Sequence, residues 1–137
     1  MYMQGFKMND EINFDEVVDL YKMAGWQEYC KNLENLRFSF NNSQVKLAVY
    51  QDHHCVGFLR ALTDYTSIFL IQDLLVHPLY QNRGIGSQLL AKIDEMYPRI
   101  RQKQLLCDAV MELKKFYEKN GYVEVGSYNM CSYIKLK

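Results

Sequence analysis

Proline is scarce in this chain: Pro78 and Pro98 are the two among 137 residues. Proline ends helices and central strands, so each reads as punctuation: one at a turn after an apolar strand, one at the close of a helix. Net charge is absent, with 16 basic and 16 acidic side chains. That argues against nucleic acid or a membrane surface as the main partner, since both favour a basic excess. No apolar run approaches the roughly 18 residues of a membrane-spanning helix, and the opening MYMQGFKMNDE lacks the apolar core of a signal peptide. Paired cysteines are missing too. Cys30, Cys55, Cys107 and Cys131 stand apart with no C-x-x-C spacing. They read as free thiols in a reducing compartment, which makes the cytoplasm the expected location. His53, His54 and His77 lie at no ligand spacing with them, so no metal is expected.

Apolar residues make up 49% of the chain, enough for one core, and the length fits one domain over residues 1–137. Residues 2 to 8 read as a short edge strand. Asn13 reads as a helix cap with Glu16 as capping-box partner. Val17, Leu20, Tyr21 and Ala24 form one apolar face, and Gly25 stops that helix. After Trp26 a second helix runs to about Phe40, with Leu33, Leu36 and Phe40 inward. Val45, Leu47 and Val49 alternate as a strand, Gln51 to His54 is a hairpin turn, and Val56, Phe58 and Leu62 mark the returning strand. Residues 68 to 76, IFLIQDLLV, are apolar on both faces except Gln72 and Asp73, the pattern of a strand covered twice. A helix from 84 to about 97, a strand from Gln104 to Cys107 and a helix capped by Asp108 and closed by Asn120-Gly121 follow. Tyr122–Val125 and Tyr128–Leu136 read as a closing hairpin.

The stretch from Asp73 to Ala91, DLLVHPLYQNRGIGSQLLA, organises the rest. A strand leads through a Pro-marked turn and a glycine-bearing loop into a helix with Ile85, Leu89, Ile93 and Met96 on one face. The first N–H groups of a helix lack internal partners, and the helix dipole adds positive potential there. Glycine allows close approach, and Arg83 adds a formal charge. This is a seat for a pyrophosphate.

Gln81-Asn82-Arg83-Gly84-Ile85-Gly86 resembles the Q/R-x-x-G-x-G/A loop of the GCN5-related N-acetyltransferases (GNAT), which binds the pyrophosphate of acetyl-CoA. Lys115-Phe116-Tyr117-Glu118-Lys119-Asn120-Gly121-Tyr122 is similar to that family's F-Y-x-K-x-G-F/Y segment. The likeness covers roughly residues 45 to 137. The run GFLRALTD with QDLLVHPLYQ also resembles the serotonin-type (arylalkylamine) branch. The resemblance implies an α/β fold whose central, mostly antiparallel mixed sheet splays in the middle and is flanked by about four helices.

It also implies chemistry. Acetyl transfer to an amine needs a neutral nucleophile, a held oxyanion and a protonated leaving thiolate. The family's pattern assigns the pantetheine arm and oxyanion to the backbone of Leu74, Leu75 and Val76, and the pyrophosphate to Gln81, Asn82, Arg83, Gly84, Ile85, Gly86 and Ser87. Tyr117 becomes the general acid toward the departing sulfur, since a phenol of pKa about 10 stays protonated at neutral pH. By its helical spacing alone it reads rather as a core tyrosine; the motif reverses that. Asp73 is a carboxylate inside an apolar strand. Burial favours the neutral form of such a group, which suits a general base or an amine-orienting group; the alternative is a carboxylate that bonds neighbouring backbone. Arg60 and Asp64 read as lining the acceptor pocket or as a surface pair, and Trp26 as a wall of that pocket or as core. The family's asparagine seven residues before the tyrosine is replaced by Val110, and a glutamate twelve before it by Leu105.

The expected function is acetyl-CoA-dependent transfer to a primary amine of a small molecule. The alternatives are a non-catalytic acyl-CoA-binding module and a protein or peptide N-acetyltransferase. Homodimers are common in the family. A Rossmann or P-loop nucleotide site is disfavoured, since the third glycine and the G-K-[S/T] are lacking.

Overall fold

The structure is a computed structural model and describes residues 4–137. The first residues of the strand expected at 2 to 8 lie outside the described residues; β1 spans Gln4–Met8. The chain divides into two compact units, Met1–Leu106 and Cys107–Lys137.

The first unit is a five-stranded sheet in the order β1-β2-β3-β4-β5, with β2 at Val45–Gln51, β3 at His54–Thr63, β4 at Ile68–Val76 and β5 at Gln102–Leu105. The first four strands pair antiparallel in sequence order, and β5 joins β4 in parallel. The sheet is open and mixed, as the resemblance implies. Asp52 and His53 both take positive φ at the β2–β3 turn (50° and 68°), the geometry of a tight hairpin turn that follows the strand twist.

Helix α1, Phe14–Met23, is capped by the Asn13 side chain, which accepts from the Asp15 N–H at 2.9 Å. Glu16 does not close the expected capping box; its carboxylate accepts from the Tyr50 hydroxyl at 3.4 Å. Gly25 turns the chain at φ 84°, as the sequence indicates. The single helix expected after Trp26 is two: α2, Gln27–Cys30, and α3, Leu33–Asn41. The Asn32 side chain breaks the run by accepting from the Asn35 N–H at 3.0 Å, a cap that competes with helix continuation. Leu33 therefore sits in a first turn, 45% exposed, rather than inward.

The two faces of the sheet carry different covers. Ile12, Val17, Tyr21, Leu36 and Phe40 pack on Ala48, Phe58 and Leu75 on one face. The other face seats α4, Ile85–Met96, through the buried Ile85, Leu89, Leu90 and Ile93. The strands buried almost throughout are β2 and β3; β4 alternates between buried and half-buried positions before the exposed Gln72. Leu62, expected inward, is 39% exposed near the end of β3.

One contact fixes where α4 begins. A Cβ on Gly57 would lie 2.6 Å from Ile85 Cγ2 and 3.3 Å from Leu89 Cδ1. Ile85 is β-branched and cannot swing away cheaply, so α4 rests directly on the strand only because residue 57 has no side chain. Gly57→Ala is expected to lower unfolding free energy by about 1–3 kcal/mol through overpacking, read in urea titration. It should also weaken any ligand held at the start of α4.

The second unit holds α5, Met111–Lys119, and a 3-10 turn, Val125–Tyr128. Val110, not Asp108, occupies the cap position of α5. The closing hairpin expected at 122–136 is not formed among the described residues. The backbone there closes short turns instead: Ser127 N–H to Glu124 O, Asn129 N–H to Gly126 O and Met130 N–H to Val125 O, with Asn129 left-handed at φ 58°. A two-stranded hairpin is marginal on its own, and local turns of this kind displace the ladder that alternation alone predicts. Tyr133, Ile134 and Leu136 remain exposed.

Candidate functional site

The register between β3 and β4 shifts by one residue at Gln72. Arg60 stands opposite Asp73, yet the next residue, Ala61, stands opposite Ile71. Side chains alternate faces along a strand, so an inserted residue reverses the face of everything beyond it. Asp73 is thereby turned to the face that α1 covers, beside Arg60, while Ile71 stays with Ala61 on the α4 face.

Asp73 is 1% exposed. Its Oδ2 accepts from the Tyr21 hydroxyl and from Arg60 Nε, the latter at 2.7 Å. Arg60 Nη1 donates to Ser43 Oγ at 3.1 Å, and Ser43 Oγ donates to the Ser39 carbonyl at 2.7 Å. The side chains of Arg60 and Asp73 are 7% and 0% exposed. Burial works against the Arg60 charge, but the Asp73 carboxylate outweighs it and its pKa is raised. Burial, and then the same carboxylate, push the Tyr21 phenol far above its ordinary value, so Tyr21 stays a donor. Asp73 Oδ1 is buried and has no hydrogen-bond partner.

Two sequence expectations change here. Asp73 is the centre of a buried ion pair, not a lone carboxylate. Arg60 does not work with Asp64, because the bulge brings Asp73 opposite it. Asp64 organises the β3–β4 turn: its carboxylate accepts from the N–H groups of Thr66, Ser67 and Ile68 at 2.9, 2.8 and 3.1 Å and from the Ser67 hydroxyl. Those bonds, the Ser67 hydroxyl first, hold its pKa below the usual carboxylate range. Trp26 is half-buried. Its ring stacks on Tyr29 at 5.5 Å and meets the edge of Tyr21 at 6.0 Å, which places it one ring away from Asp73.

Beyond the bulge, β4 outruns its neighbour. The parallel ladder with β5 ends at Ile71 opposite Leu105, so among the described residues Gln72 to Val76 have a paired edge toward β3 alone. This half-open strand contains Leu74, Leu75 and Val76. It leads through the His77 backbone, bonded to the Val56 carbonyl at 2.8 Å, into a 3-10 turn, Pro78–Tyr80. His77 Nδ1 accepts from the Leu79 N–H at 3.1 Å, which is a structural role for that ring. Asn82 and Gly84 are both left-handed, at φ 62° and 79°, in the manner of turns that gather N–H groups into an anion-binding concavity. Gly84 then starts α4, with no side-chain cap and no acidic residue in the first turn. Arg83 is exposed, its guanidinium 5.1 Å from the Tyr80 ring centroid. The structure thus brings Gln81 to Ser87 into one loop and helix start that favours an anion on every count.

A cleft of about 350 Å³ lies nearby, between α1 and the end of β4, lined by Glu16, Asp19, Leu20, His54, His77 and Tyr80 among others. Two carboxylates face it, which makes it a poor seat for phosphate.

Tyr117 belongs to the second unit. On α5 its ring lies 5.0 Å from Phe116 and 6.0 Å from Tyr122. Burial first, then Cys107, push its phenol up to about 12. Among the described residues no three His, Cys, Asp or Glu side chains are grouped as a metal site, and no helix is long and apolar enough to cross a membrane.

The family model of the acetyltransferase (GNAT) domain matches residues 8–135. The chain belongs to the GNAT family. An acetyltransferase of the GNAT family from Streptococcus pneumoniae shares the fold with a TM-score of 0.86 and 27% identity, covering 98% of both chains. An aminoglycoside N-acetyltransferase solved with CoA has the same GNAT fold at 13% identity and a TM-score of 0.75, covering 100% of this chain and 95% of its own. Among curated proteins, an uncharacterized N-acetyltransferase, ycf52, of Gracilaria tenuistipitata var. liui is 26% identical over 84% of this chain, and the chain spans 64% of that relative's length. The ycf52 of Pyropia yezoensis is 24% identical over 85% of this chain and 68% of its own.

Sequence reasoning missed three residues that shape this candidate site. Ser43 sits at the end of a helix with nothing to mark it. Tyr21 reads only as part of an apolar face. Gly57 carries a signal, a lone glycine inside an apolar strand run, which points to close backbone approach.

Proposed function

We propose that this protein is an acetyl-CoA-dependent N-acetyltransferase whose acceptor is a primary amine of a small molecule. The observation that carries this reading is the half-open end of β4 running into an uncapped, cation-flanked helix start. Among the described residues the backbone of Leu74, Leu75 and Val76 pairs toward β3 alone, and its other edge suits a pantetheine arm. The loop from Gln81 to Ser87 offers N–H groups and the Arg83 charge to a pyrophosphate. The family match spans both compact units, so we take residues 1–137 as one acetyltransferase domain; its free cysteines support a reducing, cytoplasmic setting. Tyr117 acts as general acid toward the thiolate, and Asp73 orients the amine. No metal enters this chemistry.

A thiol-release assay with acetyl-CoA over arylalkyl amines, polyamines, amino sugars and peptide N-termini tests the reading. Release with a small amine supports it; release with peptides alone replaces it by the peptide-directed alternative. Acetyl-CoA binding without release from any acceptor moves the protein to the non-catalytic reading. That reading draws on Val110, which stands where many members of the family carry an asparagine, and on Leu105, where some carry a glutamate. Arg83→Ala is expected to weaken CoA about tenfold, the loss of one charge-assisted bond of about 1.5 kcal/mol, measured by calorimetry.

A further inference from the structure

His77 is held three ways at the end of β4. Its N–H donates to the Val56 carbonyl at 2.8 Å, its own carbonyl accepts from the Tyr80 N–H at 2.8 Å, and its Nδ1 accepts from the Leu79 N–H at 3.1 Å. Pro78 has no N–H to offer, so this one residue takes every backbone donor of the Pro78–Tyr80 turn. The ring also meets the Tyr80 ring edge-on, at 5.3 Å and 88°. Tyr80 in turn carries the Arg83 guanidinium, 5.1 Å from its centroid. Arg83 is exposed and, among the described residues, enters no ion pair, so the Tyr80 ring is the contact that orients it. A chain of contacts thus runs from the His77 ring through Tyr80 to the cation beside the left-handed Asn82 and Gly84.

We propose that His77 is a positioning residue for acetyl-CoA: its neutral imidazole fixes the turn that aims Arg83 at the pyrophosphate, and protonation of that ring releases it. This rests on the acetyltransferase reading and adds a proton-dependent control to its cofactor seat. An exposed arginine has many rotamers to give up on binding, and a ring fixed against it removes part of that loss beforehand. The fixing depends on Nδ1 being a bare acceptor, which puts the ring proton on Nε2. In the imidazolium both nitrogens carry protons, so an Nδ1–H then faces the Leu79 N–H and the bond is gone. Histidine is the side chain that makes this change between about pH 5 and 8. Glu16 and Asp19 from α1 line the cleft that His77 borders and favour a charge there, whereas the His54 imidazole from β3 and, across Tyr80, Arg83 oppose it. Cys55 is neutral in this range, its thiol pushed up to about 12 by burial first and then by Glu16. The seat is therefore intact on the alkaline side of the His77 titration and loosened on the acid side.

Calorimetry with CoA on the full chain, at about pH 8 and about pH 5.5, tests this. His77→Asn keeps a short acceptor for the Leu79 N–H but has no ring to titrate. His54→Asn removes the other imidazole of the cleft. The ionisations of CoA are common to all of them, so differences between the proteins isolate the ring. The wild type and His54→Asn should lose about fivefold more affinity on acidification than His77→Asn, which is what one capping hydrogen bond is worth. At the higher pH His77→Ala should bind about fivefold more weakly than the wild type, but less than about twofold more weakly in an Arg83→Ala background, because the effect passes through Arg83. Equal acid loss in the wild type and His77→Asn overturns the proposal. So does an equal cost of His77→Ala with and without Arg83, or a slope that vanishes in His54→Asn instead. One check needs no variant: NMR of the ring nitrogens should find Nδ1 of His77 unprotonated at the higher pH, and a proton there overturns the proposal as well. CoA binding with these responses flat leaves the acetyltransferase reading and removes His77 from it. No CoA binding at either pH ends that reading, and this role with it.

Discussion

Tyr117→Phe is expected to lower kcat by about 10²–10⁴-fold, the range for removing a positioned proton donor, while the affinity for CoA stays within twofold. The thiolate leaving the tetrahedral intermediate has to gain a proton, and phenylalanine keeps the ring packing against Phe116 and Tyr122 but has none to give. A fall in kcat with unchanged KM is the signature of an interaction made in the transition state. The pH dependence has a definite sign. The protonated phenol is the active form, and its pKa is raised to about 12, so the wild-type rate should show no loss from Tyr117 between pH 7 and 10. A limb that falls near pH 10 and vanishes in Tyr117→Phe contradicts that environment. Unchanged kcat in a folded Tyr117→Phe protein ends the general-acid role.

Arg60→Leu is expected to cost about 3–5 kcal/mol of unfolding free energy, because it strands the Asp73 charge in a dry place. With typical domain stabilities of about 5–15 kcal/mol, that brings the variant close to unfolding at room temperature. The reverse change, Asp73→Leu, strands the guanidinium and should cost a similar amount. The double variant Arg60→Leu, Asp73→Leu removes both charges together, and replacement of a buried pair by apolar residues is often near neutral. Most of the lost stability should therefore return, while amine acetylation should not. Urea unfolding of the four proteins forms a double-mutant cycle. A small, additive loss in each single variant would show that the pair is solvated and that Asp73 is not held as described.

Much of the first unit was legible from local pattern. The alternation of Val45, Leu47 and Val49, the glycine stop at Gly25 and the run from Asp73 through the Gln81–Ser87 loop into α4 each depend on residues close in sequence. Their physical cause is local: side-chain period, left-handed backbone and helix-end geometry. Where local signals competed, the pattern misled. Asn32 split a helix that the apolar spacing would have run straight through. The alternation from Tyr128 to Leu136 predicted a hairpin, and short turns around Gly126 and Asn129 took those backbone groups instead.

The partner of Asp73 is the clearest case of what pattern does not carry. Sequence marked the carboxylate as out of place in an apolar strand, and marked Arg60 and Asp64 as neighbours. It gave no means of knowing that one inserted residue at Gln72 reverses the face of β4. The amino-acid order alone determined the strand, the glycine-bearing loop and the helix it feeds, because each is set by groups within a few residues of one another. Tertiary structure alone decided which charges meet, which oxygen of Asp73 is left over, and that Gly57 lets α4 rest on the sheet. Those depend on register and on packing between segments distant in sequence, where the energy of a contact is settled by what stands opposite.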